Sequence, residues 1–303
     1  MSKKPQDFYL MQEEHHKGVL KNKEGVLHSE TWLKKDTVDY WRHKRMRDAL
    51  LPIIHYYPKS FWLTVGDGRY GTDANYLLDK GLKVHASDIQ EDLLKIASKK
   101  KFIKEYSKQN AESLTFSDNE FDFVYCKESY HHFPRPAVAL YEMLRVARIG
   151  IIVQEPKDKF YFENLMQHIS YFFLKFLRII LKKNNSTHSF EFSGNYVYSL
   201  SPREIQKFAL GLHYKCIAYK TQQDYYEKGV EFEKAEKTSK LFKKVKFRIN
   251  FLELLYKLNM KSGGILTGII LKEVPEENLI EKLRKDGFKV EILPSNPYLN
   301  SEK

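Results

Sequence analysis

The stretch Phe61-Trp62-Leu63-Thr64-Val65-Gly66-Asp67-Gly68-Arg69-Tyr70-Gly71 decides how this chain is read. Its apolar first half, Phe61–Val65, has the composition of a buried strand, and its second half spaces glycines as G-x-G-x-x-G. Thr72–Lys80 then reads as a helix that Gly81 stops. Leu82–Ala86 reads as a second strand, with Asp88 just beyond it, about twenty residues past the first glycine. Glycines let the turn tighten and bring backbone N–H groups against a ligand, while a carboxylate at the tip of the second strand accepts ribose hydroxyls. A nucleoside-containing cofactor is implied.

Outward from this unit the alternation continues. Gln90–Lys101 reads as a helix, Phe102–Gln109 holds a short third strand, and Phe121–Cys126 is a fourth. Pro136–Ala147 is a helix with proline in its first turn, and Gly150–Gln154 a fifth strand. Strands joined by helical crossovers make a parallel sheet covered on both faces. Upstream, Asp36 or Thr37 caps a helix through Tyr40, Trp41, Met46 and Leu50. Downstream, Phe160–Lys183 reads as a long amphipathic helix with Lys175, Arg178 and Lys182 on one side, and Ser201-Pro202-Arg203-Glu204 as a capping box. Leu212–Tyr219 and Ile265–Lys272 read as two further strands flanking a helix from about Glu231 to Met260, and the tail adds a helix ended by Gly287 and an extended piece. The expected fold is α/β: a Rossmann-like, seven-stranded, mostly parallel sheet with helices on both faces, an N-terminal helical cap and a C-terminal extension. The expected divisions are a cap over residues 1–60, a cofactor-binding half over 61–155, a helical insertion or lid over 156–200, and the rest of the core with extra helices over 201–303.

Composition narrows the class. Among 303 residues, 42% are hydrophobic and 14% aromatic, which excludes a disordered or collagen-like chain. Cys126 and Cys216 are too few for a disulfide framework or a paired-cysteine zinc site, so a reducing cytoplasm is expected. No run of about 18 uncharged apolar residues occurs; the longest candidate, Ile169 to Leu181, is interrupted by Lys175 and Arg178. The net charge of +12 invites a nucleic-acid or anionic-membrane reading. Its basic clusters, Arg42–Arg47, Lys99–Lys104 and Lys234–Arg248, are interleaved with apolar or acidic residues as on solvated helix faces.

Charge also separates the candidate cofactors. A dinucleotide would set a pyrophosphate on the helix N-terminus, where Asp67 and Asp73 would repel it. S-adenosylmethionine instead offers a cationic amine and a sulfonium, which those carboxylates favour, while Arg69 could meet its carboxylate.

Five segments then carry a resemblance over about Phe61 to Pro156. Val65-Gly66-Asp67-Gly68, Ser87-Asp88-Ile89, Asn110-Ala111-Glu112-Ser113-Leu114, Phe121-Asp122-Phe123-Val124, and His131-His132-Phe133-Pro134-Arg135-Pro136 through Leu144-Arg145-Val146-Ala147-Arg148 follow in order. They resemble the class I S-adenosylmethionine-dependent methyltransferases, in particular the type 11 small-molecule branch. The resemblance implies that Gly66, Asp67 and Gly68 line the methionine portion, Asp88 holds the ribose and Ile89 stacks on adenine. It further implies that Asn110, Ala111 and Glu112 contact the adenine edge and that Lys127 lies near the carboxyl or methyl end. Two positions depart: Thr64 stands where an acid is usual, with Asp67 or Asp73 as its substitute, and Asn110 where aspartate is commoner.

Methyl transfer is an in-line displacement, so the protein chiefly supplies alignment, exclusion of water and, for a hydroxyl acceptor, a base. Lys127-Glu128-Ser129-Tyr130-His131-His132 leaves the fourth strand at the edge where ligands of open α/β sheets bind. His131 or His132 is the expected general base, with Glu128 as its orienter or as the base itself. No metal is expected. The reading is a cytoplasmic enzyme methylating a small polar or sugar-like acceptor, most simply at oxygen. Its sugar preference rests on the likeness of Lys127–Arg148 to methyltransferases found with surface-polysaccharide biosynthesis enzymes. The rivals are an RNA or protein methyltransferase and a non-catalytic cofactor-binding protein, though no appended RNA-binding module is visible. If exposed, the Phe160–Lys183 helix would suit peripheral contact with an anionic bilayer.

Overall fold

A computed structural model describes residues 9–11, 23–181, 189–191 and 195–298. The chain begins with three helices, α1 (Lys23–Glu30), α2 (Val38–Arg47) and α3 (Leu51–Tyr56). Then come β1 (Phe61–Val65), α4 (Thr72–Leu78), β2 (Lys83–Asp88), α5 (Asp92–Lys99), β3 (Glu105–Lys108), β4 (Phe121–Lys127), α6 (Pro136–Val146) and β5 (Ala147–Pro156). The second half holds α7 (Leu165–Ile180), α8 (Pro202–Gly211), β6 (Cys216–Gln222), α9 (Lys240–Lys257), β7 (Ile265–Leu271), α10 (Glu277–Lys285) and β8 (Lys289–Ile292).

The strands form one sheet in the order β3-β2-β1-β4-β5-β7-β6-β8. The five strands from β3 to β5 are parallel, and β7 runs antiparallel to both β5 and β6. The order reverses at β1 and β4, and such a switch point opens a crevice above the strand C-termini. The sheet has eight strands and is mixed, where seven were expected. The correction lies in the tail: Gly287 adopts φ 91°, turning the chain so that Lys289–Ile292 pairs antiparallel with Cys216–Tyr219. A four-residue strand has too little pattern to declare itself; pairing with an established edge makes it one.

Several other boundaries move for local reasons. The helix expected from about Glu231 begins at Lys240, where Ser239 accepts the Phe242 amide as its cap. The strand expected from Leu212 begins at Cys216, because His213, in the left-handed region at φ 60°, finishes the preceding helix. The helix expected over Phe160–Lys183 is described over Leu165–Ile180; Lys182 and Lys183 lie outside the described residues, as does most of the loop expected over 184–194. Thr37 caps α2 by accepting the Tyr40 amide at 3.1 Å, and Ser201 and Glu204 make the reciprocal capping box of α8.

Apolar side chains fill both faces of the sheet. One layer joins Trp62, Phe123 and Tyr125 to α3, α4, α5 and α10, and the other joins Leu63, Val124 and Ile151 to α6 and α8. These layers fix the strand tips rigidly. A third, smaller cluster of Val38, Val230, Val245 and Ile249 clamps α9 onto α2, and α2 in turn lies across the tips.

Candidate functional site

The glycine turn leaves β1 at Gly66 with φ 73° and enters α4 through Gly71 at φ 67°, backbone that glycine adopts at little cost. Gly68 is required for a different reason: a Cβ there would stand 2.8 Å from Asp88 Oδ2. The Gly68 amide donates to that carboxylate, and the Gln90 amide donates to Oδ1 at 2.8 Å. Burial nonetheless pushes the Asp88 carboxyl up to about 6, the two amides pulling against it. Turn and acid are therefore in contact.

Beneath the turn sits Asp67, which takes the Thr64 hydroxyl at 2.9 Å and the amides of Asp73 and Ala74 at 3.2 and 2.8 Å. It thereby caps the N-terminus of α4, and Thr64 serves as its donor. Burial and the neighbouring Asp73 push its carboxyl up to about 8. Asp73 is held by Arg47 Nε at 2.6 Å, and Arg47 Nη2 reaches Thr72 at 3.0 Å. Arg47 is 3% exposed, and among the described residues its Nη1 has no hydrogen-bond partner. A buried guanidinium nitrogen left unpaired costs free energy unless something answers it.

These groups line a cavity of about 300 Å³. Ile89, Leu93 and Phe133 give it an apolar wall beside Asp88, while Arg47, Asp67 and Asp73 lie at its polar part with Lys127 and Glu128. The other wall is α2. Asp39, Arg42, His43 and Arg47 recur at spacings of three and four and so share one helical face, and that face is buried. Arg42 donates to Asp39 at 2.8 Å and to Asp224 at 3.0 Å. His43 Nδ1 lies 2.8 Å from Lys127 Nζ and 3.0 Å from Glu128 Oε2, with Nε2 3.5 Å from Asp39.

Glu128 follows β4 at φ 49°, a strained backbone for a residue with a Cβ, which is the kind of departure found at binding sites. Burial would raise its carboxyl, but Lys127 and His43 beside it hold it well below the usual range. A smaller polar cavity of about 190 Å³ adjoins here, sharing Trp32, Asp39, His43, Arg69 and Glu128 and adding His28, Arg42, Tyr226 and Glu231.

The expected site residues are thus distributed unevenly. Gly66, Asp67, Gly68, Asp73, Asp88, Ile89, Lys127, Glu128 and His132 all line the main cavity. His131 is not among its lining residues: its Nδ1 lies 2.5 Å from Glu155, a buried carboxylate that also accepts the amides of Ser129 and Tyr130. Burial would lower that imidazole, but Glu155 outweighs it and raises the pKa. Its position suits bracing the loop. His132 Nδ1 is paired with Glu191. Asn110, Ala111 and Glu112 also lie off the cavity; Asn110 accepts the Glu112 amide at 2.9 Å, and Glu112 takes Arg135 at 2.6 Å. Sequence reasoning missed Asp39, His43, Arg47, Tyr226 and Glu231. The first three did leave a signal, polar residues recurring on the same helical face as the apolar Val38 and Met46.

Residues 63–153 match the family described as a methyltransferase domain. A demethylmenaquinone methyltransferase of Renibacterium salmoninarum is 30% identical over 115 residues, 38% of this chain and 48% of that one. The chain thus spans about half the length of this curated relative. Among solved structures, an S-adenosylmethionine-dependent methyltransferase from Methanosarcina mazei aligns at 16% identity and a TM-score of 0.46, over 74% of this chain and 98% of that one. One from Archaeoglobus fulgidus aligns at 14% and 0.47, over 76% and 94%.

Proposed function

We propose that this chain is an S-adenosylmethionine-dependent methyltransferase acting on a polar acceptor. One observation carries the reading: a single cavity is lined both by an acid suited to ribose hydroxyls, Asp88, and by a buried arginine, Arg47. The ligand that answers both is a nucleoside carrying a carboxylate. Ile89, Leu93 and Phe133 would enclose the base. Arg47 would take the carboxylate of the methionine part, and the acids around it would take the amine. The cofactor supplies a methyl group already activated on a sulfonium. Glu128, kept ionised by Lys127 and His43, would hold that positive end electrostatically, and α2 would exclude water.

The acceptor would enter through the adjoining polar cavity, whose carboxylates and arginines suit a molecule rich in hydroxyls, such as a glycan. For transfer to oxygen, the proton would pass to His132, which lines the main cavity and is oriented by Glu191. Release of S-adenosylhomocysteine across a panel of glycosides tests this part. His132→Ala should lower turnover by about a hundredfold or more without weakening the cofactor. A panel that yields no turnover at all would remove the glycan assignment.

Calorimetry tests the cofactor. S-adenosylhomocysteine should bind and NAD should not, and Asp88→Ala should cost about 1–3 kcal/mol of binding, the scale for hydrogen bonds to a charged group. NAD binding in preference to the thioether would overturn the reading.

A further inference from the structure

Helix α7 turns its apolar side to water. Ile169, Phe173, Phe176 and Ile180 recur at spacings of three and four, each more than half exposed, while Gln167 on another side is buried. A helix of a folded core does the reverse. Helix α9 has two faces: Val245 and Ile249 pack on α2, and Phe247, Phe251 and Leu258 form an exposed stripe opposite. The two helices are joined at their ends, where Asn164, just before α7, donates to Asn259, just after α9, at 2.8 Å.

The charges around this surface name its occupant. Helix α7 contains no acidic residue. Beside the α9 stripe stand Lys240, Lys243, Lys246 and Arg248, all exposed, and Lys244, which Glu227 pairs at 2.9 Å, while the sole acid of α9, Glu253, takes the Gln223 amide at 2.7 Å. A second copy of this chain would bring like charges together across a two-fold contact. An anionic lipid surface complements both the cations and the apolar stripe. At 16 residues α7 is about 24 Å long, and among the described residues no helix is long and apolar enough to cross a membrane. Lying in the interface is what its length permits.

The insertion bearing α7 is also tied to the site. It is closed at its base by the Lys157 and Leu200 bridge, and its returning arm donates from the Tyr198 amide to His131 at 3.3 Å and from Asn195 to His132 at 3.1 Å. We propose that α7 and the outer stripe of α9 seat this protein on an anionic lipid surface, from which it takes a lipid-borne acceptor. The second clause rests on the methyl-transfer reading; the first does not.

The test is flotation of the full chain with vesicles of phosphatidylglycerol and phosphatidylcholine, and with vesicles of phosphatidylcholine alone. Binding should favour the anionic vesicles and weaken as salt rises. Phe173→Glu with Phe176→Glu should reduce it by about tenfold or more, and Lys243→Gln with Lys246→Gln should reduce it on anionic vesicles only. Circular dichroism should show both variants folded. No binding to anionic vesicles, or binding unchanged in the glutamate variant, overturns the proposal. So does self-association of the wild type that the glutamate variant abolishes while neither binds vesicles, since the face would then belong to a second copy. Vesicle binding without affinity for S-adenosylhomocysteine leaves the docking in place and removes the methyl-transfer reading instead.

Discussion

On α2 the residues facing inward are Asp39, Arg42, His43 and Arg47; on α7 the residues facing water are Ile169, Phe172, Phe173, Phe176 and Ile180. Both helices invert the expected distribution, and each inversion has an energetic cost that local structure does not offset. In α2 the charges are answered inside the molecule, by Asp224, Asp73, Lys127 and Glu128 on elements distant in sequence. In α7 the apolar side chains are exposed, and the surface proposed to answer them is a lipid one. The first inversion builds a pocket wall with fixed charges, and the second leaves an exposed apolar face. The difference is where the partner resides.

Removing the cation at the centre of the first arrangement gives the largest effect. Arg47→Met keeps volume but leaves Asp73 buried and unpaired beside Asp67, which should cost about 3–5 kcal/mol of stability, the scale for breaking a buried pair. Denaturant unfolding measures it, and a loss below about 1 kcal/mol would place Arg47 among surface ion pairs and dissolve the contrast. Calorimetry on whatever fraction stays folded should find no binding of S-adenosylhomocysteine.

Next in size is a pH effect at Asp88. Its pKa in the folded protein stands at about 6, above that of the unfolded chain. The folded state thus retains a proton that the unfolded state releases, and the stability this group contributes below pH 4 or so is lost as pH rises towards 6. Ribose hydroxyls donate to the ionised form, so cofactor affinity should move the opposite way, rising up to about tenfold per pH unit below 6 and levelling above it. Asp88→Asn should flatten both trends, and an affinity unchanged between pH 5 and 7 would show that the ionised carboxylate does not hold the ribose.

How far each region could be read in advance follows the same division. Strands β1 to β5 and the glycine turn were legible because their signals are local: apolar runs, glycines at fixed offsets, and an acid one strand away. The pairing of Gly68 with Asp88 needs only that local register. The inward charges of α2 were not, because a polar residue on a helix declares itself buried only through its partner, and Arg42 finds Asp224 182 positions along the chain. Asp67 shows the same limit at short range, since a carboxylate beside a glycine turn can face the ligand or cap α4, and the Thr64, Asp73 and Ala74 donors decide only once the turn is folded. The eighth strand needed β6 as a template. The amphipathic pattern of α7 was legible, but which side faces the protein was not, since periodicity is blind to direction.

The smallest effect sharpens the contrast most. Phe173 is 61% exposed, so Phe173→Ser removes little that folding buried, and serine and phenylalanine have similar helix propensities. Stability should change by no more than about 0.5 kcal/mol, as for surface substitutions generally. That outcome would separate the exposed face of α7 from the core. A measured loss above about 1.5 kcal/mol would mean that α7 packs against its own protein in solution. Its apolar side would then be core like any other, and only α2 would remain as the exception.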